Sequence, residues 1–134
     1  QLCSTSSAAA SSLGVAMAMQ PAWAIYRPAH LHMLLLGFVT MMISGVAYHV
    51  FPRFAATPLF SPRLARTHLV LANVGVAAMV IGFAWRLHNA AAGGVMLGAG
   101  ATASAGGAYL LAWNLWKTLD RAALPVTRIA ARPR

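Results

Sequence analysis

Apolar residues in this chain come in long runs rather than in alternation. Four runs, at about 8–26, 29–51, 67–87 and 94–116, are separated by short segments that hold most of the prolines and arginines. A run of about 20 apolar residues, rising 1.5 Å each, crosses the ~30 Å hydrocarbon core of a bilayer. Lipid offers the backbone no water, so each run must pair its own N–H and C=O groups, which a helix does. Short connections make neighbouring helices antiparallel. The pattern therefore predicts an all-α membrane protein: one transmembrane domain over 1–134, built as a four-transmembrane-helix bundle, with 117–134 as a basic tail.

The second run is the clearest. Arg27-Pro28 opens it, Pro52-Arg53 closes it, and no Asp, Glu, Lys or Arg lies between Ala29 and Phe51. The first run, rich in Ala, Ser and Met, is the least hydrophobic, and Gln20-Pro21 predicts a kink or an early stop. Its Ala22-Trp23-Ala24 has the look of a signal-peptide cleavage box, but no basic segment precedes it, and we read it as retained. Pro52, Pro58 and Pro62 punctuate the loop before the third run, which His68 opens and Arg86 and His88 close. The fourth carries Gly94-xxx-Gly98, then Gly100, Gly106 and Gly107 among alanines. Small residues let helix backbones approach closely. The expected use is packing inside the bundle, with a protomer interface as the alternative. Met33, Met41 and Met42 read as core filling.

Composition agrees: 60% of the 134 residues are hydrophobic and 8% charged, against roughly a quarter charged in soluble domains. A net charge of +9 with Asp120 as the sole acid would suggest nucleic acid in a soluble chain. Here the charges lie between apolar runs, so they report topology, and the partner is membrane lipid. One side receives Arg53, Arg63, Arg66, Lys117, Arg121, Arg128, Arg132 and Arg134; the other receives Arg27 and Arg86. Cationic loops stay in the cytoplasm, which places both termini there. Cys3 is the only cysteine, so neither an internal disulfide nor a thiolate metal cage is available.

This topology puts His30, His32 and His88 near the outer face, flanked by Arg27 and Arg86. His49 and His68 fall near the cytoplasmic face, about 26 Å away at 1.5 Å for each of the seventeen residues from His32. Two residues apart on a helix, His30 and His32 point about 200° apart and cannot ligate the same iron. Either each faces its own cofactor, or one is a ligand and the other structural. A macrocycle with two carboxylates needs an imidazole for its iron and cations at the membrane edge for its propionates, and this set could supply both. The plainer alternatives are interfacial hydrogen bonding for His49 and His68 and snorkelling anchors for the two arginines.

The order His30-x-His32, Gly37, Gly45, Tyr48-His49, Pro52-Arg53 resembles one helix of the catalytic subunit of haem-copper oxidases. The likeness is greatest to the C-type cytochrome oxidases and the related nitric oxide reductases. Residues 59–83, LFSPRLARTHLVLANVGVAAMVIGF, look like the helix that follows. Residues 107–119, GAYLLAWNLWKTL, look like the last one, with the ending Asn114-Leu115-Trp116-Lys117-Thr118. The chain thus resembles the last four transmembrane helices of that subunit over about 26–119, although the first span carries no matching motif. In that family the two histidines carry two haems on opposite faces of the helix near the outer side, the first high-spin and the second low-spin. The resemblance implies those positions for His30 and His32.

The chain also departs from the family. The helices that hold the second metal are missing, as is the opposite ligand of the low-spin haem. With no Glu and one Asp beyond the last span, no carboxylate serves proton conduction or a non-haem iron. That argues against an autonomous oxidase or nitric oxide reductase, and no catalytic residue or copper is expected. The missing ligand could be His88, a histidine of a second copy, or an open position for a gas. The expectation is a multi-pass protein of a bacterial inner membrane holding one or two haems b. It passes electrons as a homodimer or as a subunit of a larger complex, with quinol or a periplasmic cytochrome as redox partner. His32 and His30 are the first candidate ligands, His88 the next and His68 the last, and Arg27 and Arg86 are the propionate partners. The alternatives are a cofactor-free structural subunit and a gas-binding haem sensor.

Overall fold

Helices follow one another along the computed structural model, which describes residues 2–130 and, within them, the side chains of 5 and 7–123. Gln1, Arg132 and Arg134 lie outside the described residues, as do the side chains of Cys3 and Arg128. No strand occurs among the described residues. Helix α1 (Leu2–Met19) is followed by a 3-10 turn (Pro21–Tyr26), α2 (Arg27–His32), a π-helical segment (Met33–Thr40) and α3 (Met41–Phe54). The last four join end to end into one rod, and then come α4 (Pro62–Trp85) and α5 (Ala90–Ala130). Three helices are long and apolar enough to cross a membrane: Pro21–Phe54, Pro62–Trp85 and the Ala90–Ala123 part of α5.

The apolar part of α1, Ser7–Met19, is shorter. The run expected over 8–26 is split, because a residue before proline is pushed out of the helical region. Gln20 is extended at φ −132° and ψ 106°, and Pro21 starts the 3-10 turn as a new first residue. The other prolines are tolerated for positional reasons. Pro28 and Pro62 sit in first turns, where the missing N–H has no intrahelical acceptor anyway. Pro52 falls in the last turn of α3, and just past the Ala55 C-cap Ala56 takes the left-handed region (φ 49°).

The exterior is apolar. Leu35, Ile43, Val46, Val70, Val74, Ile81 and Val95 are each more than half exposed. The buried set is small or polar: Ala10, Ala29, Ala72, Val76, Met41 and Met79, with Ser44, His68, Asn114 and Thr118. This is the profile of helices that face lipid and meet one another through small side chains and hydrogen bonds.

The tightest contact is between α4 and α5. Gly75 and Gly82 of α4 lie seven residues apart, as do Gly93, Gly100 and Gly107 at the facing end and length of α5. A Cβ on Gly75 would stand 2.7 Å from the Gly100 carbonyl oxygen, and one on Gly82 would stand 2.7 Å from the Leu97 nitrogen. Seven-residue spacing keeps such positions on one seam. Gly94, Gly98 and Gly106 are outside it, with nothing within 4 Å of a Cβ built on them. The Gly94-xxx-Gly98 pair therefore does not pack inside the bundle; the glycines that do are its neighbours in sequence.

Gly75→Ala should destabilise the protein by about 1–3 kcal/mol, because two backbones must separate to admit the methyl group. Gly98→Ala should change stability by less than about 0.5 kcal/mol. Thermal unfolding of both variants in detergent or lipid discs measures the difference.

Candidate functional site

The helix order brings two sets of polar residues to opposite ends of the Pro21–Phe54 rod. At the first end, Pro28 leaves α2 free to wind through His30 and His32. The His30 Nδ1 lies 3.0 Å from the Ala10 carbonyl oxygen of α1, and the His32 Nδ1 lies 2.7 Å from the Pro28 carbonyl oxygen one turn earlier. Carbonyls only accept, so each Nδ1 donates its proton, which leaves Nε2 as the ring nitrogen not engaged by these bonds. The rings go to different neighbours. His30 packs against Gly14, where a Cβ would stand 3.1 Å from its Cε1. His32 lies against Phe83 of α4, with ring centroids 5.0 Å apart.

A cleft of about 390 Å³ opens beside His30, lined by Gly14, Met17, Ala18, Ala24, Arg27 and Leu31 with that histidine. Arg27 and His30 thus share one cavity. Arg86 instead caps the end of α4, where its backbone and side chain press on Gly93. His88 is exposed in the turn that follows, and no hydrogen bond or ring contact joins it to His30 or His32. Among the described residues no three His, Cys, Asp or Glu converge on one metal position.

At the other end, the connection 55–61 is clamped to α5. Asn114, fully buried, accepts from the Ser61 N–H (3.0 Å) and donates to the Ser61 carbonyl (2.9 Å). Thr118, also fully buried, accepts from the Phe60 N–H (3.0 Å) and donates to the Asn114 carbonyl (2.7 Å). The Arg121 guanidinium lies 4.3 Å from the centre of the Phe60 ring. This fixes Ser61 as the N-cap of α4, its Oγ accepting from the Leu64 N–H at 3.3 Å.

The clamp sets the start of α4 and, two turns on, His68. Only 2% exposed, His68 shares a 3.3 Å hydrogen bond with the Tyr48 hydroxyl through Nδ1, in a direction that follows the imidazole tautomer. Their ring centroids are 5.7 Å apart. His68 also faces a small void of about 60 Å³ shared with Ser104, whose Oγ is buried with no partner. His49, next to Tyr48 in sequence, is exposed.

The sequence reading named His68 but missed Tyr48, Asn114 and Ser104. Asn114 and Thr118 did carry a signal, polar residues four apart on one face of an apolar helix. The Tyr48–His68 pair carried none, since its members sit on different helices 20 residues apart.

Asn114→Ala leaves the Ser61 N–H unpaired, while the Ser61 carbonyl keeps the Ala65 N–H at 3.3 Å, and should cost about 1–3 kcal/mol. Amide hydrogen exchange should show residues 57–64 opening before the glycine seam does. Comparison with family models, with curated proteins and with solved structures found no match.

Proposed function

We propose that this chain is an electron-transfer protein of a bacterial inner membrane that holds b-type haem at its His30–His32 end. In this reading α1 is a short fourth span, both termini are cytoplasmic by the charge count, and the haem end faces outward. One observation carries the proposal: both histidines have Nδ1 committed to a backbone carbonyl. That tether fixes the tautomer and the ring, and presents Nε2 as a ligand; it is the usual support of a metal-binding imidazole.

The residues fit the group unequally. His30 lines an open cleft together with Arg27, so an imidazole and a cation for a propionate stand in one cavity. His32 is covered by Phe83, which makes His30 the better ligand here and His32 a second one only if Phe83 moves. The other donor lining the cleft is the Met17 thioether, a known partner of histidine on haem iron. A haem bound here would supply one-electron chemistry; His30 and Met17 would offer its iron donors and Arg27 would pair with a propionate. The resemblance to the terminal helices of haem-copper oxidases points the same way, and a homodimer or larger complex is the expected setting.

The purified protein should show sharp haem b bands on dithionite reduction, and His30→Ala should lose most of the haem. Gly14→Val, which crowds His30 without removing it, should weaken haem retention about tenfold. Bands shifted by CO point instead to an open iron and a gas-binding role. A colourless, folded protein leaves a structural subunit and ends the haem reading.

A further inference from the structure

We infer that the cleft between α3 and the start of α4 binds the ring of a lipid-soluble quinone, in both its quinone and hydroquinone forms. The cleft, of about 280 Å³, is lined by Met41, Gly45, Tyr48, Ala65, Arg66 and His68, with Ser44 and Leu69. That is near the small end of ligand cavities, and the wall has their usual make-up: mostly apolar, with a few fixed polar groups. It lies between two helices of membrane-crossing length, with exposed Gly45, Arg66 and Leu69 around it, so a ligand reaches it from lipid.

The polar groups select the occupant. Tyr48 and His68 share one hydrogen bond with two possible directions. If Tyr48 donates to Nδ1, the His68 proton is on Nε2 and the imidazole is a donor, as a quinone carbonyl requires. If Nδ1–H donates to the Tyr48 oxygen, Nε2 is an acceptor, as a hydroquinone hydroxyl requires. The pair thus meets either oxidation state without moving a heavy atom. A saturated acyl chain makes no use of these groups and offers His68 Nε2 no hydrogen-bond partner. An anionic headgroup would rest on Arg66, the one cation of the lining, and would not need the buried pair. The apolar remainder accommodates a ring, with the Met41 thioether as a soft contact.

Gly45 gives the test its handle. A Cβ there meets nothing within 4 Å, so Gly45→Leu fills the cleft from the wall without displacing the fold. The site is independent of the haem reading: Tyr48 is eighteen residues from His30, about 27 Å along the rod at 1.5 Å each.

The experiment is calorimetric titration of the chain in phosphatidylcholine discs with a decyl-tailed benzoquinone. The expected result is saturable binding at one site. Gly45→Leu and Tyr48→Phe should each weaken it about tenfold or more, with Gly98→Leu unchanged. Binding should be the same in preparations with and without haem, so a failed haem assignment leaves this result standing. Equal binding by the parent, Gly45→Leu and Tyr48→Phe overturns the proposal. So does unsaturable partitioning, or complete displacement by phosphatidylglycerol, which would assign the cleft to a lipid headgroup on Arg66.

Discussion

Backbone contact between α4 and α5 is the constraint on which the rest of the fold depends. In lipid, apolar side chains gain nothing by meeting one another rather than acyl tails, so association rests on close packing and hydrogen bonds. Gly75, Gly82 and Gly100 provide the packing by bringing no side chain of their own to the crossing, where even one carbon would stand 2.7 Å from a backbone atom of the neighbour. With α4 and α5 locked, the registers of their ends follow. Asn114 of α5 can reach Ser61 at the start of α4, and Gly107 lies so near the His68 carbonyl that a Cβ on it would stand 3.3 Å from that oxygen.

The polar interior then has a mechanical role. The connection 55–61 has no helix of its own to pair its backbone, and three of its groups are instead bonded by Asn114 and Thr118. A single hydrogen bond of this kind contributes little, on the order of 1 kcal/mol. Several on one short loop fix its path, and with it the angle at which α4 leaves α3. The Tyr48–His68 contact crosses that angle, so its geometry is set by residues that touch neither ring.

Much of this was legible in the sequence, and the illegible part has physical causes. The absence of charge from Ala29 to Phe51 was enough to announce a helix of membrane length, and Gln20-Pro21 announced the break before it. Helix ends were less clear. α5 runs to Ala130 rather than to 116, because the basic segment after Trp116 contains nothing that stops a helix before Pro125, and apolarity marks where lipid ends rather than where a helix does. The glycine seam was legible only in part, since the run that holds Gly100 and Gly107, which pack, also holds Gly94, Gly98 and Gly106, which do not. Gly94-xxx-Gly98 is the familiar spacing, but a spacing on one helix does not say which face meets a partner. Only the match of Gly75 and Gly82 to Gly93, Gly100 and Gly107 across two helices settles it. The π-helical segment 33–40, in which the Thr40 hydroxyl also donates to the Leu35 carbonyl at 2.8 Å, had no sequence signature.

That segment bears on the relation between the two ends of the rod. A stretch with i to i+5 bonding rotates everything beyond it relative to a plain α-helix. His30 and His32 lie before it and Tyr48 after it. The faces presented at the two ends are therefore set separately: His30 toward α1 and His32 toward Phe83 on one side of the segment, Tyr48 toward His68 on the other. A straight α-helix would couple these choices through its fixed 100° step per residue. With a π segment between them, the histidine pair can be matched to one pair of neighbours and the tyrosine to another within a single uninterrupted span.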